Sequence, residues 1–219
     1  MSAWGSTLHP FAHYQTQPEL FSHFNQYMIV QRLGMPTWLD VYPHADAAKK
    51  ATPGKPFFVD VGGGFGHQSI TLKNKLPDMP GALIVQDLPA VLQQAQSHSE
   101  IELMPHNFFE PQPVRDAPIY YMRNIIHDYR DEQAIQILSH TRDALGSDSV
   151  ILIDDMVLEE KGVNWQAAQL DITMMACFSS LERTRKQWQD LTARAGLKIV
   201  KVYTYTESLG DSVIECVSA

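Results

Sequence analysis

The stretch FFVDVGGGFGH, residues 57–67, constrains the fold more than any other part of the chain. Phe57, Phe58, Val59 and Val61 favour a buried strand, and the run passes straight into Gly62, Gly63, Gly64 and Gly66. A strand that ends in a glycine-rich turn before a helix is a ligand-binding junction of open α/β sheets. The glycines let the backbone turn sharply and let a ligand approach without Cβ atoms in the way. The dinucleotide fingerprint asks for Gly-x-Gly-x-x-Gly/Ala, and His67 fails its third position. Gly62, Gly64 and Gly66 give Gly-x-Gly-x-Gly instead, a spacing that favours a nucleoside ligand without a pyrophosphate.

From Phe57 onward, short apolar runs alternate with helical patterns. Strands are expected over 57–61, 82–86, 100–104, 117–122, 149–154, 197–204 and 211–217, and helices near 66–75, 89–97, 131–145, 164–177 and 184–195. This alternation predicts an α/β fold, a mostly parallel sheet with helices on both faces. The last segment, LKIVKVYTYTESLGDSVIECVSA, has two strand-like runs around a short turn-rich stretch and no helix. A parallel neighbour needs a long crossover, so these two strands should form a hairpin, with the final one antiparallel to at least one neighbour. Residues 1–54 differ in texture, being rich in aromatics, His and Pro. PELFSHFNQYMIVQRL reads there as one amphipathic helix and PTWLDVYP as a lead-in loop, a flank that covers something.

Composition narrows the function classes. A formal charge of -8, with no clustered block among the 17 Lys and Arg residues, disfavours nucleic acid as a partner. A hydrophobic fraction of 44% and a charged fraction of 19% describe a soluble globular protein, and no apolar run is long enough to cross a bilayer. No membrane partner is expected. The start MSAWGSTLHP lacks the pattern of a secretory signal, so a cytoplasmic location is the expectation. Cys177 and Cys216 match no zinc or redox spacing and read as reduced, buried thiols, and the His and acid spacing offers no metal site.

Two acids give the glycine loop its chemistry. Asp87 stands just past the second expected strand, where a carboxylate can accept hydrogen bonds from both hydroxyls of a ribose. Asp60 lies inside the first strand, where a buried carboxylate costs several kcal/mol unless it is paired or hydrogen-bonded. Either a cationic amino-acid tail on the ligand or the loop's own amides would compensate it. A ribose that bears an amino-acid-like tail describes S-adenosylmethionine.

VDVGGGFGH, QDLPAVL, YYMRNIIHDYRDEQAIQIL, ILIDDMVL and LDITMMACFSSLERTRKQWQDL, in this order and spacing, resemble one family. It is the catalytic domain of plant and fungal S-adenosylmethionine-dependent O-methyltransferases, the caffeate O-methyltransferase-like class, and the likeness runs from about residue 20 to the C-terminus. The resemblance implies a Rossmann-like methyltransferase sheet, S-adenosylmethionine as cofactor and S-adenosylhomocysteine as product. It implies that His127 is the general base, flanked by acids that fall on Asp155 and Glu182. Asp155 is one methylene shorter than the family's Glu, and Asp154 is a weaker substitute for it. Asp60, Gly62, Gly64 and Asp87 would hold the cofactor. Arg123 stands where a Lys commonly contacts it, Asn107 where an Asp contacts it near the adenine, and Phe108 would wall the base. Met174 would line the acceptor pocket, with Met28, Met122 and Met156 as further candidates. The acceptor implied is a hydroxylated aromatic, a phenolic metabolite of fungal type. In this reading residues 1–54 cover the acceptor site and residues 55–219 form the catalytic domain. The family's winged-helix-like N-terminal lobe is not among these residues, so the expectation is an excised catalytic domain, a truncated gene product, or a chain completed by a homo-oligomer or a partner chain.

Methyl transfer needs the acceptor aligned with the S–CH3 bond and its proton removed. A free imidazole near pKa 6.5 facing a phenol near 10 is about 3.5 units short, about 4.8 kcal/mol uphill for full transfer. Acids beside the ring reduce that cost by stabilising its charged form. Two other readings remain: a pericyclic rearrangement that uses the sulfonium as a fixed charge, and a non-catalytic cofactor-binding subunit.

Overall fold

The computed structural model describes residues 13–14, 16–30, 33–95 and 98–219. Its centre is a sheet in the order β3-β2-β1-β4-β5-β8-β7. The strands are β1 (Pro56–Val61), β2 (Ala82–Asp87), β3 (Ile101–Pro105), β4 (Ile119–Arg123), β5 (Val150–Leu158), β7 (Leu197–Thr204) and β8 (Asp211–Ser218). A two-residue β6 (Arg183–Thr184) pairs the far end of β5. The first five strands in that order are mutually parallel, and β8 runs antiparallel to both β5 and β7, as the helix-free C-terminal segment requires.

Two apolar layers cover the sheet. On one face Val59, Val61, Tyr120, Met122, Ile151, Ile153 and Ile214 meet Ile137 and Leu138 of α5 (Asp131–Arg142) and Trp188 and Leu191 of α7 (Arg185–Arg194). On the other, Phe58, Leu83, Val85, Tyr121, Leu152 and Val213 meet Leu72 of α3 (His67–Lys75) and Trp38, Leu39 and Tyr42. The period-2 alternation of the strands sorts these residues between the faces. Trp38 is fully buried, lies 4.8 Å from the Tyr121 ring and donates Nε1–H to Gln68 at 3.0 Å. The segment that reads as a lead-in loop, with a 3-10 turn at Trp38–Asp40 and a short α2 (His44–Ala47), is therefore part of the core.

Other differences have local causes. The helix expected over 89–97 is only α4 (Pro89–Leu92), started by a proline in its first turn; residues 96–97 lie outside the described residues. β5 runs four residues past the expected end, to Leu158, because β6 and β8 pair with its extension. Asp155 is thus inside a strand rather than at its wet end. Met122 is wholly buried in the first apolar layer, and Met156 packs in a separate small cluster with Leu158, Ala167 and Leu209, so both are placed as core residues. α1 (Pro18–Val30) ends before the expected helix does, its continuation at 31–32 lying outside the described residues. α6 (Trp165–Phe178) follows β5, with Asn164 as N-cap accepting from the Gln166 amide at 2.9 Å. No helix among the described residues is long and apolar enough to cross a membrane.

Candidate active site at the carboxyl edge of the sheet

The glycine loop turns out of β1 through three left-handed residues, Gly62 (φ 71°), Gly64 (φ 58°) and Gly66 (φ 80°). A Cβ on Gly62 would stand 2.6 Å from Ile125 Cδ1 and 3.4 Å from Phe108 Cε1, so the loop passes directly under both side chains. A Cβ on Gly64 would meet nothing within 4 Å, which leaves open space over the loop. The amides of Gly62 and Gly63 donate to the Gln86 carbonyl at 2.8 and 3.1 Å. The side chains of Gln86 and Gln112, both buried, exchange two hydrogen bonds of 2.8 Å, which ties the end of β2 to the segment carrying Asn107 and Phe108.

Asp87 sits where expected, at the end of β2, with Oδ2 accepting from the Gly64 amide at 2.8 Å and Oδ1 from the Leu88 amide at 2.7 Å. A carboxylate has about four lone-pair positions, so two remain for a ligand. Burial pushes its pKa up, and those two amides oppose the shift. Asp60 is 1% exposed and accepts from Ser69 Oγ of α3 at 3.0 Å rather than from the amides of the glycine loop. Burial raises its pKa to about 7 despite that bond. Asn107 is exposed and bonds within its own turn, accepting from the Phe109 amide at 3.1 Å. Phe108 is half-buried, its ring edge-on to Tyr129 at 5.7 Å.

His127 owes its place to the turn after β4. Asn124 adopts a left-handed φ of 51°, which its short polar side chain tolerates, and donates its amide to the Asp154 carbonyl at 3.1 Å. A 3-10 turn, Ile126–Asp128, follows and carries the imidazole. Arg183, 1% exposed, clamps this turn by donating to the carbonyls of Ile126 (3.0 Å) and Tyr129 (2.9 Å) and to Asp131 Oδ1 (3.0 Å). Ser180 donates its hydroxyl to the His127 and Tyr129 carbonyls, and Arg130 Nε donates to the Ser179 carbonyl at 3.1 Å. The C-terminus of α6 is thereby fastened to the histidine turn.

The three acids near the ring hold it unequally. Glu182, buried, lies with Oε1 2.8 Å from His127 Nδ1, and its own amide donates to Asp171 of α6 at 2.8 Å. It does not cap the next helix; Thr184 does, in a capping box with Gln187. Asp128 Oδ1 is 3.7 Å from Nε2. Asp155 is 2% exposed, and neither of its oxygens, nor Glu182 Oε2, has a hydrogen-bond partner among the described residues. The shorter side chain of Asp155 acts on the ring through space alone. Burial by itself would lower the imidazole pKa, but the charges of Glu182, Asp155 and Asp128 outweigh it and raise it to about 10. Burial lifts Asp155 to about 8 and Asp128 to about 7, His127 opposing in both cases.

Asp154 faces the opposite side of β5 from Asp155 and takes no part in this cluster. It accepts hydrogen bonds from the hydroxyls of Tyr121 and, at 2.7 Å, Tyr205, and lies 3.9 Å from Arg123 Nε. Met174 is 7% exposed on α6, which packs on the histidine turn, whereas Met28 on α1 is 37% exposed. Tyr14 is 8% exposed, and burial, then the charges of Cys177 and Asp128, raise its pKa. Sequence reasoning missed Tyr14, Ser180, Arg183 and Tyr205. None of them carried a local signal: Arg183, in SSLERTRKQ, stands among polar and charged residues like any surface arginine. No group of three or more His, Cys, Asp or Glu among the described residues is arranged to hold a metal ion.

Comparison with known proteins matches this arrangement to a family. The model of the O-methyltransferase domain matches residues 3–198. A demethylsterigmatocystin 6-O-methyltransferase of Aspergillus flavus is 44% identical over 204 residues, 93% of this chain and 52% of that protein. The demethylsterigmatocystin 6-O-methyltransferase stcP of Emericella nidulans is 43% identical over 190 residues, 86% of this chain and 92% of that protein. Two solved structures, a pericyclic reaction enzyme and a complex of LepI with SAM, each superpose with a TM-score of 0.92 at 38% identity, over 100% of this chain and 57% of theirs. The chain thus spans about half the length of the A. flavus relative. Matched by the family model over most of its length, and by curated relatives above 40% identity, the chain belongs to the O-methyltransferase domain family.

Proposed function

We propose that this chain transfers a methyl group from S-adenosylmethionine to a hydroxyl, phenolic in character, of a small aromatic metabolite, with His127 as general base. The observation that carries the reading is the 2.8 Å contact between His127 Nδ1 and buried Glu182, on the edge of the sheet that also bears the glycine loop. With Glu182 accepting from Nδ1, the neutral ring presents the Nε2 lone pair to the acceptor. The charges of Glu182, Asp155 and Asp128 raise the imidazole well above its ordinary value, so moving the acceptor's proton onto Nε2 costs less than the about 4.8 kcal/mol of a free ring.

The residues around the loop suit the donor, which supplies an electrophilic methyl carbon on a sulfonium. Open space over Gly64 and spare lone pairs on Asp87 fit a ribose, Phe108 offers an apolar wall for the base, and Asp60 with Arg123 offers opposite charges for an amino-acid tail. Asn107 would bond the adenine by giving up its turn. Met174 and Tyr14, both nearly buried, would close the acceptor side against water, with Met28 at its rim. Residues 1–54 serve in this reading as the acceptor-side flank of the catalytic residues 55–219. The demethylsterigmatocystin-acting relatives support a fungal polycyclic phenol as acceptor.

A pericyclic function is the second reading, favoured by the likeness to the solved pericyclic reaction enzyme. Product mass separates the two. Incubation with S-adenosylmethionine and a panel containing demethylsterigmatocystin and simpler phenols should give a product heavier by one methyl group, with S-adenosylhomocysteine formed in equal amount. A rearranged product of unchanged mass would replace this reading with the second.

A further inference from the structure

We infer that Asp154 and Tyr205 are positioning residues for the amino-acid end of the methyl donor, acting by fixing the guanidinium of Arg123. The inference rests on the donor site proposed above and concerns residues outside the histidine cluster. β4 and β5 are in register with Arg123 opposite Asp154, and Tyr121, two positions earlier on β4, shares Arg123's face. Asp154, 1% exposed, would draw the guanidinium into a close ion pair if its carboxylate could turn to meet it, but two hydroxyls hold it in place. Oδ2 accepts from the Tyr121 hydroxyl, and Oδ1 accepts from the hydroxyl of Tyr205, which follows β7 in the hairpin turn, and these two bonds take half of the carboxylate's about four lone-pair positions and fix its plane.

The result is a held distance. Arg123 Nε stays 3.9 Å from Asp154 Oδ2, within electrostatic reach but too long for a hydrogen bond. That pair is made by the inner nitrogen, and among the described residues the Arg123 guanidinium makes no side-chain hydrogen bond. Its planar fork is therefore left for a bidentate anion. The anion is identified by what stands beside it. Asp60 pairs with Tyr121 across β1 and β4, so Asp60 and Arg123 share the same face at neighbouring strand ends, and Arg123's charge acts on the Asp60 carboxyl. A buried acid next to a nearly buried arginine fits an α-amino-acid zwitterion, ammonium to Asp60 and carboxylate to Arg123. Removing the Tyr205 hydroxyl takes away one of the two bonds that orient the Asp154 carboxylate, so that Oδ1 can turn to close on the guanidinium and draw the fork away from the ligand.

Calorimetric titration of the purified chain with two ligands tests this. S-adenosylhomocysteine carries the amino-acid tail; 5′-methylthioadenosine has the same nucleoside and thioether without it. Tyr205→Phe and Asp154→Asn should weaken S-adenosylhomocysteine about tenfold, one charge-assisted hydrogen bond's worth, and leave 5′-methylthioadenosine within about twofold. In an Arg123→Met background, already weak for the tailed ligand, Tyr205→Phe should add nothing. Equal losses for both ligands, or an additive effect in the Arg123→Met background, would overturn the inference and leave Tyr205 as a fold-stabilising residue; unchanged affinities would overturn it as well. Failure of the unsubstituted chain to bind S-adenosylhomocysteine is a different result: it would remove the donor site itself, and this inference with it.

Discussion

The imidazole of His127 meets three acids that do different work. Glu182 fixes the ring and its tautomer, Asp128 adds charge from beyond hydrogen-bond range, and Asp155 adds charge with no bond at all. Because the base must be neutral to act, a raised pKa moves the rising limb of kcat/KM to alkaline pH. Glu182→Gln removes the hydrogen-bonded charge, so that limb should move down in pH while the plateau falls, as a pH–rate profile would show. Stability responds with its own sign. Asp155 has its folded pKa raised to about 8, so the fold binds more protons than the unfolded chain between about 4 and 8, and stability declines as pH rises through that window. His127 is also raised; its contribution is complete below about 6.5 and is lost as pH rises through about 10. Urea titrations across this range should find Asp155→Asn less sensitive to pH between about 4 and 8 than the parent chain. These roles were only partly legible in the sequence. The family resemblance set acids at Asp155 and Glu182 beside His127, but the one-methylene deficit at Asp155 did not say whether the contact would be kept or weakened; in the structure the Asp155 carboxylate makes no hydrogen bond among the described residues.

At the scale of elements, the site depends on how α6, β6 and the histidine turn are bolted together. Arg183 ties β6 to that turn, and its loss leaves a cavity beside the Ile126 and Tyr129 carbonyls, which keep only their bonds to the Tyr129 amide and the Ser180 hydroxyl. Arg183→Met should cost about 1–3 kcal/mol by denaturant titration, and lower activity through misplacement of His127 even where the chain stays folded. The hairpin turn is similarly tight: Gly210 has φ 76°, and a Cβ there would stand 2.8 Å from the Val157 carbonyl oxygen. Gly210→Ala should therefore destabilise by more than the about 1–2 kcal/mol of left-handed strain alone, and thermal unfolding would register the difference. Local pattern announced the strand–glycine–helix unit and the C-terminal hairpin, since both follow from side-chain period and turn residues. It did not announce that Tyr205 would reach Asp154 or that Arg183 would reach Ile126. Those contacts follow from strand register between segments some fifty residues apart, which no local pattern carries.

At the scale of the whole molecule, apolar side chains remain on two helices. Leu20, Tyr27, Met28 and Val30 on α1, and Trp165, Ile172 and Met175 on α6, are all more than a third exposed. A second copy or a partner chain over these helices is the proposal that suits such surface. Ile172→Asp with Met175→Asp should lower the mass of any self-associated species in light scattering while leaving S-adenosylhomocysteine affinity within about twofold, since neither side chain borders the glycine loop. An unchanged mass would place association elsewhere. In the proposed reading, one end of the parallel sheet would hold the donor, the clamped turn beside it the base, and the N-terminal flank would cover the acceptor site. The sharpest test is a paired measurement on His127→Ala, methyl transfer by product mass and S-adenosylhomocysteine binding by calorimetry. Transfer should be abolished with affinity kept within a few-fold. Loss of both would make His127 a structural residue, and retention of both would show that another group removes the acceptor's proton.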